Sequence, residues 1–186
     1  MLTSFKVAFV LVLFYFPFFF LALIPSNSIF LRPQDQRETV CSKISLPLVC
    51  QTSVTLAVIK PDGMAHQTEI LSTLTAEGFT IVKDKTTQLT EEDVSVWYED
   101  KVQESYYPLL VQYLTRGPIR ILELERIRAI PKLRSLIGPT NPLVARQSFP
   151  KSIRALYGTN IQENTIHASD SEQSAEREIR FTRSLE

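Results

Sequence analysis

The 186-residue chain has no excess of either charge, because 20 lysines and arginines balance 20 aspartates and glutamates. Proteins that bind nucleic acid carry an excess of basic groups, so this balance predicts no nucleic-acid partner. A local basic pocket is still allowed, since a pocket for phosphates needs only a few charges. The chain also has only two cysteines and two histidines. It contains no Asn-x-Ser/Thr sequence for glycosylation, which removes that marker of secretion.

The first thirty residues differ in composition from the rest and contain eight of the 11 phenylalanines. Val7 to Ile24 is an uncharged run of 18 residues that follows Lys6. Such a run is typical of a secretory signal or a short membrane anchor, and less so of a buried core helix. Ser26 and Ser28 have the spacing of a cleavage site, which favours a cleaved signal. We therefore expect the secretory pathway or a membrane, or the cytoplasm if the leader has no function.

Residues 29–53 have prolines, scattered charges and no sustained period, which predicts a linker between a leader at 1–28 and a domain at 54–186. A domain of about 130 residues can bury a sufficient core by itself. Cys41 and Cys50 lie in this linker. In an oxidising compartment they would close a small loop, and otherwise they are two ordinary thiols.

The domain alternates between strand and helix patterns. Apolar, β-branched residues from Val54 to Lys60 predict a buried strand that ends at the turn Pro61-Asp62-Gly63. Helices are predicted at Glu69–Glu77, from a capping box at Thr90–Asp93 onward, and at Ala129–Ile137. Strands are predicted at Phe79–Leu89, with one face exposed to solvent, and at Ile119–Glu125. The residues of the second strand that are predicted to face inward are Ile119, Ile121, Leu122 and Leu124. This order predicts a mixed α/β domain.

The segment NTIHASDS, from Asn164 to Ser171, sets His167 among hydrogen-bonding residues. A neutral imidazole can act as a nucleophile, although a lone histidine is more often structural. Glu178 follows eleven residues later in the helical run SEQSAEREIRF, so one turn would bring its carboxylate back to the ring. A carboxylate on one ring nitrogen fixes the tautomer and leaves the lone pair of the other nitrogen free to attack.

Two basic residues have patterns that suit a phosphate. Lys60 closes an apolar strand, where a lysine is usually solvated but can also aim its ammonium into a pocket. Arg134 and Thr140 flank a short segment, and a guanidinium binds oxyanions with two hydrogen bonds. An isolated arginine on a helix is nevertheless usually a surface residue.

Five motifs resemble one family. NTIHASDS closely resembles the active-site signature of nucleoside diphosphate kinases, and IKPDG, at Ile59 to Gly63, resembles their N-terminal signature. WYED, RSLIGPTNP and SIRALYG lie between them in the family's order, so the resemblance covers about Thr55 to Phe181. The segment GPTNPLVARQSFPKSIRALYG and the later motif AEREIRF are similar to a divergent branch of that family.

The resemblance implies a ferredoxin-like α/β sandwich, with a four-stranded antiparallel sheet and helices packed on it. It also implies a ping-pong reaction, in which a nucleoside triphosphate such as ATP phosphorylates His167 and a nucleoside diphosphate then takes the phosphoryl group. Mg²⁺ would be carried on the nucleotide phosphates, and the chain would form a homo-oligomer of unspecified size.

The resemblance further implies a role for each matching residue. Lys60 would contact the transferred phosphate, the Tyr98 hydroxyl would reach the terminal phosphate, and Glu178 would orient His167. Asn164 would bind sugar hydroxyls and the transferred group. The remaining matches are Arg134, Thr140 and Arg154 for the phosphates, Tyr106, Tyr107 and Leu110 for the base, and Asp100 near the metal-bearing phosphates. Neither cysteine matches a catalytic position.

Two features depart from the usual pattern of the family. The loop between Thr140 and Arg154 is longer, and Ala168 follows the histidine where most members have Gly or Ser. If position 168 needs a positive φ, the methyl group would add strain. The intact residue set favours an enzyme over a nucleotide-binding or interaction module with little turnover. A membrane-tethered scaffold is a third alternative, which rests on the leader alone.

Overall fold

The computed structural model describes residues 52–185. The predicted leader, the cleavage site, most of the linker and the pair Cys41 and Cys50 lie outside these residues. Within residues 52–185, no helix is both long enough and apolar enough to cross a membrane.

The described residues form one four-stranded sheet in the order β2-β3-β1-β4, with every neighbouring pair antiparallel. The strands are β1 (Thr52–Ile59), β2 (Thr80–Thr87), β3 (Ile119–Ile127) and β4 (Ile166–Ala168). In the central pair, Thr52 lies opposite Ile127 and Ile59 lies opposite Arg120. This strand order and these directions are those of the predicted ferredoxin-like sandwich, which is therefore confirmed.

Helices cover both faces of the sheet. They are α1 (Gln67–Ala76), α2 (Glu91–Trp97), α3 (Tyr107–Thr115), α4 (Ala129–Ile137), α5 (Pro142–Ser148), α6 (Ile153–Tyr157) and α7 (Glu172–Ser184), with 3₁₀ turns at Pro61–His66 and Glu99–Lys101. One core lies between the sheet and α1 and α4, and includes Ile59 and Leu124. The other lies under α2, α3 and α7, and includes Leu56 and Ile121.

Strand β1 contributes to both cores because successive side chains of a strand point to opposite faces. Its residues from Thr55 to Ile59 are fully buried, which explains their continuous apolar sequence. In β3 the four residues predicted to face inward, from Ile119 to Leu124, are all buried. Strand β1 begins at Thr52, two residues before the predicted start, and Lys60 lies just beyond its end.

The predicted capping box at the start of α2 is present. The Thr90 hydroxyl accepts a hydrogen bond from the backbone N–H of Asp93, at 3.1 Å. The Asp93 carboxylate accepts in return from the backbone N–H of Thr90, at 2.8 Å. These two bonds satisfy N–H groups that the helix itself leaves unpaired, and so fix where α2 begins.

The prediction of a loop between Thr140 and Arg154 was wrong, because helices α5 and α6 occupy this segment. The Asn141 side chain caps α5 by accepting a hydrogen bond from the N–H of Leu143, at 2.9 Å. Pro142 follows in the first turn, where a missing N–H costs nothing. The Arg146 guanidinium joins the two helices, because it donates to the backbone carbonyls of Ala155 and Gly158.

Ala168 carries none of the strain that was considered from the sequence. It belongs to β4, pairs with Ala57 and is 3 % exposed, and its φ is not positive. The left-handed conformation occurs instead at Thr165, with a φ of 74°. A methyl group at position 168 therefore packs into the core next to His167.

Candidate active site

A cavity of about 890 Å³ lies beside β4 and the end of β1. Ten residues that the sequence singled out line it: Lys60, Tyr98, Tyr106, Leu110, Arg134, Thr140, Arg154, Asn164, His167 and Glu178. They come from the edge strand β4, from four helices and from the connections between elements, including the end of β1. The fold thus brings together residues that are up to 118 positions apart (178 − 60).

His167 is held by contacts on two sides of its ring. Strand β4 places it opposite Val58 of β1. Its Nε2 atom lies 2.9 Å from Oε2 of Glu178, so the contact predicted from the sequence is present. The Trp97 ring meets the imidazole edge-on, with 5.3 Å between centroids and 82° between planes. When Nε2–H donates to Glu178, Nδ1 carries the lone pair that can attack.

Ser169 also belongs to this arrangement, and the sequence reasoning missed it. Its Oγ donates to Oε2 of Glu178 at 2.7 Å, and both side chains are buried. The sequence did contain a signal for this contact. Residues two apart in a strand face the same side, and His167 and Ser169 are two apart. Trp97, a buried residue of α2, also packs on the candidate nucleophile.

The start of α7 fixes an acidic side chain at the cavity. Asp170 lines the cavity and accepts hydrogen bonds from the hydroxyls of Ser174, at 2.5 Å, and Ser171, at 3.1 Å. The Ser174 hydrogen bond is the main cause that lowers the pKa of Asp170. Asp170 is therefore an anion at neutral pH.

Lys60 is a buried cation at 7 % exposure. Its Nζ donates to the carbonyl of Gln162 at 2.8 Å and lies 5.3 Å from the centroid of the Tyr113 ring. Burial lowers the pKa of Lys60 to about 8, and the Asp62 carboxylate partly opposes that effect. At pH 7 most Lys60 side chains are therefore charged, and the charge has little water to screen it.

Two arginines add positive charge to the lining. Arg154 is 5 % exposed, and its Nη2 and Nη1 donate to the carbonyls of Ile166 and Gly138, at 2.8 and 3.0 Å. Burial, and to a smaller extent the charge of the neighbouring Arg134, lowers its pKa to about 10. Arg134 itself is exposed. With Lys60, these guanidinium groups create a lining that suits a polyphosphate.

Tyr98 presents a neutral phenol to the cavity. Burial raises its pKa above the ordinary value, and the charge of Glu178 raises it further. The hydroxyl therefore keeps its proton at physiological pH and can donate a hydrogen bond to an anionic ligand.

Asn164 has an acceptor that the described residues leave unpaired. Its Nδ2 donates to the carbonyls of Thr140 and Ile161, at 3.0 and 2.7 Å. Its Oδ1 is buried and accepts no hydrogen bond from residues 52–185. An unpaired buried acceptor costs about 1–3 kcal/mol, so a hydroxyl donor from a ligand would be favourable here.

The far part of the cavity is apolar and open. Tyr106 and Leu110 of the predicted base wall line it. Tyr107 does not line it and packs against the core under α3 instead. Ile161, which the sequence reasoning missed, also lines the cavity and is 62 % exposed. An aromatic ring and aliphatic side chains around an open cleft suit the flat faces of a base.

The described residues offer no protein cage for a metal ion. Among them, no group of three His, Cys, Asp or Glu side chains could hold one. Asp100 lies outside the large cavity and pairs with Lys101 at 2.9 Å, so its predicted place near metal-bearing phosphates gains no support. Mg²⁺ usually binds through substrate phosphates with one or two carboxylates, and Asp170 is the carboxylate placed for that.

Similarity to known proteins agrees with this geometry. Residues 53–184 match the family model described as nucleoside diphosphate kinase. The chain belongs to the nucleoside diphosphate kinase family. The match spans the sheet, both helical layers and the cavity, so the family resemblance seen in five motifs is confirmed.

Individual members of the nucleoside diphosphate kinase family are also similar to this chain in sequence and in structure. "Probable nucleoside diphosphate kinase 5" of Arabidopsis thaliana is 48 % identical over 67 % of this chain and 88 % of its own length. "Nucleoside diphosphate kinase homolog 5" of Homo sapiens is 41 % identical over 68 % of this chain but 60 % of its own length. The crystal structure of the Aquifex aeolicus nucleoside diphosphate kinase superposes with a TM-score of 0.69 at 37 % identity, covering 71 % of this chain and 95 % of that one.

Proposed function

We propose that the chain is an active nucleoside diphosphate kinase that transfers the γ-phosphoryl group of a nucleoside triphosphate to a nucleoside diphosphate through phosphohistidine at His167. The observation that carries this proposal is the 2.9 Å contact between Nε2 of His167 and Glu178 at the wall of a cationic cavity. A histidine held only for packing would need neither a buried carboxylate on its ring nor a cavity lined by basic side chains such as Lys60, Arg134 and Arg154.

In the first half-reaction Nδ1 of His167 attacks the γ-phosphorus. A nitrogen–phosphorus bond forms, the bond from that phosphorus to the bridging oxygen breaks, and the nucleoside diphosphate leaves. The imidazole gains positive charge as it attacks, and the Glu178 carboxylate stabilises that charge through Nε2–H. A second diphosphate reverses these steps, because a phosphoramidate and a phosphoanhydride are close in energy.

The cationic side chains compensate the charge of the phosphates. Lys60 lies at the end of β1, and Arg154 of α6 and Arg134 of α4 line the same cavity. Phosphoryl transfer depends mainly on positioning and charge compensation, for which such fixed groups suffice. Asp170 would help to hold the Mg²⁺ that the nucleotide carries, and that ion would supply charge neutralisation on the phosphates.

The apolar end of the cavity and Asn164 suit the nucleoside. Stacking between Tyr106 and Leu110 would accept any base, since every base has a π face. The unpaired Oδ1 of Asn164 would accept a hydrogen bond from a sugar hydroxyl. We therefore propose broad specificity for the base. Members of this family commonly form oligomers, and we propose self-association for this chain, to be measured by light scattering.

The test is phosphorylation of the full-length chain by γ-³²P-labelled ATP with Mg²⁺, followed by a chase with unlabelled GDP. His167→Ala is the loss-of-function variant. His66→Ala is the matched control, because His66 is the other histidine and stacks on Tyr157 rather than lining the cavity. We expect an acid-labile, alkali-stable label in the wild type and in His66→Ala, no label in His167→Ala, and release of the label as GTP.

Two results would contradict the proposal. A label that survives in His167→Ala would place the phosphoryl group elsewhere. Binding of ATP without any label in the wild type would identify a nucleotide-binding module that keeps the shape of the site without turnover.

A further inference from the structure

The backbone just before His167 adopts an unfavourable conformation. Thr165 is β-branched, has a φ of 74° and is fully buried. The N–H of Ile166 donates to the carbonyl of Asn164 at 2.8 Å, so Thr165 is the middle residue of a tight three-residue turn. Since L-residues with side branches avoid this region, neighbouring groups must hold the turn in place.

Residues from the end of β1 hold the turn. Oδ2 of Asp62 accepts a hydrogen bond from the N–H of Thr165 at 2.8 Å. The carbonyl of Thr165 accepts from the N–H of Lys60, also at 2.8 Å. Gly63 packs against the same turn so closely that a Cβ at position 63 would lie 2.5 Å from the Thr165 oxygen. The turn that carries Asn164 and His167 is thus fastened to the segment that carries Lys60.

The other oxygen of Asp62 is engaged on the opposite side. Oδ1 accepts a hydrogen bond from the hydroxyl of Tyr113, whose ring lies 5.3 Å from the Lys60 ammonium. Asp62 is therefore the negative charge beside a buried cation. The other charged groups that act on Lys60 are Arg154 and Glu163, and Glu163 is itself paired with Arg116.

We propose that Asp62 is a positioning residue for phosphoryl transfer: one carboxylate oxygen holds the strained turn before His167, and the other, bound to the Tyr113 hydroxyl, places a negative charge beside the Lys60 ammonium. This inference rests on the proposed function, and extends it to a residue that does not line the cavity. Asp62 acts through its two neighbours and does not touch the substrate.

The two roles of Asp62 require different variants. Asp62→Asn keeps an oxygen that can accept from the Thr165 N–H but removes the charge. Asp62→Ala removes both. Asp84→Asn is the matched control, because Asp84 is an exposed carboxylate on β2 that pairs with Arg120 at 2.6 Å, away from the cavity.

The direction of the pH effect follows from the charges around Lys60. Burial lowers the pKa of Lys60 to about 8, and the Asp62 charge raises it against that effect. Without the charge, the pKa of Lys60 falls below its wild-type value, so more of the lysine is neutral at pH 8. The ratio of the Asp62→Asn rate to the wild-type rate therefore decreases as the pH rises.

The experiment measures single-turnover phosphorylation of the full chain by ATP between pH 6 and 9, together with the NMR titration of ¹³C-labelled lysine, assigned with Lys60→Arg. We expect the rate ratio for Asp62→Asn to fall about tenfold from pH 6 to pH 8.5, and the Lys60 resonance to titrate at lower pH. The phosphorylation rate of Asp62→Ala should be lower than that of Asp62→Asn by a further factor of about ten at every pH, because the turn is no longer held. Asp84→Asn should match the wild type in both measurements.

A single reduction factor for Asp62→Asn at every pH, or a Lys60 titration unchanged from the wild type, would overturn the proposal. If the wild type itself is not phosphorylated, the proposed function fails separately. The lysine titration then still decides the role of Asp62, because it needs no turnover.

Discussion

Ser169 and Glu178 are joined by a hydrogen bond of 2.7 Å, and the serine hydroxyl donates to the same carboxylate oxygen that contacts Nε2 of His167. The serine lies immediately after β4, whereas the glutamate lies within α7. The bond therefore joins the edge of the sheet to the helix packed on it, next to the candidate nucleophile. Two residues, Ser169 at the edge of the sheet and Glu178 on α7, thus hold one imidazole in its orientation.

Replacement of Glu178 by glutamine should slow phosphorylation of His167 by about 10- to 100-fold, with little change in ATP affinity. The amide keeps the shape but carries no charge to stabilise the imidazole during attack. Rapid-quench measurement of the phosphoenzyme checks this expectation. Glu176→Gln, an exposed change on the same helix, should behave as the wild type. Equal effects of the two variants would exclude the proposed role of Glu178.

Ser169→Ala should lower both stability and rate. The substitution removes a buried hydrogen bond to a carboxylate, and we expect the free energy of unfolding to fall by about 1–2 kcal/mol. The rate of phosphorylation should fall several-fold, because Glu178 loses one of its two fixed donors. Urea denaturation and rapid quench measure the two effects. Ser72→Ala, an exposed change on α1, is the control and should alter neither.

Lys60→Met should raise stability while it abolishes most activity. Burial is the main cause that lowers the pKa of Lys60 to about 8, so the folded state disfavours the ammonium. Below pH 8, Lys60 is charged in both the folded and the unfolded protein, so the wild type bears the full cost of burying the ammonium. As the pH rises from about 8 towards 10.5, the ordinary pKa of a lysine, the unfolded state binds more protons than the folded state and the wild type gains stability.

The corresponding measurement is urea denaturation at pH 7 and pH 9.5. At pH 7 we expect Lys60→Met to unfold with a free energy higher by about 1–2 kcal/mol, and this difference should shrink at pH 9.5. Lys151→Met, at an exposed position, should show no such pH dependence. A Lys60→Met protein less stable than the wild type at pH 7 would show that the lysine's contacts outweigh its burial.

Tyr106→Ala should weaken the binding of all nucleoside triphosphates alike. Loss of one stacking surface costs about 1–3 kcal/mol, and stacking discriminates little between bases. Calorimetry with ATP, GTP, CTP and inorganic tripolyphosphate separates the base from the phosphates, and the affinity for tripolyphosphate should not change. Leu109→Ala is the control, since Leu109 is 59 % exposed on α3, the helix that begins just after Tyr106, and does not line the cavity.

Much of the fold could be predicted from the sequence, because its signals are local. The alternation in β3, the continuous apolar run of β1 and the capping box of α2 each act over a few residues. The segment from Thr140 to Arg154 was predicted wrongly as a loop, although the Asn141 cap and Pro142 are themselves local signals of a helix start. The prediction for this segment followed the loop that is usual in the family and gave less weight to the helix signals in its own residues.

Only part of the candidate site could be predicted from the sequence. His167, Glu178 and Lys60 stand in recognisable motifs, and the structure brings them to one cavity as expected. Ser169, Asp62 and Tyr113 were missed as site residues, because their importance lies in pairings across strands and helices. Asp62 and Thr165 are 103 positions apart, and no local pattern indicates that they meet.

The sequence by itself determined which elements form, which faces they bury and which residue types are available for phosphoryl transfer, since periodicity and capping are properties of short segments. Only the tertiary structure decided the surroundings of these groups. Burial sets the pKa of Lys60, the packing of α7 gives His167 its tautomer, and two hydrogen bonds from the end of β1 hold Thr165 at a φ of 74°. Each of these properties depends on distance and on exclusion of water, which exist only once the chain has folded.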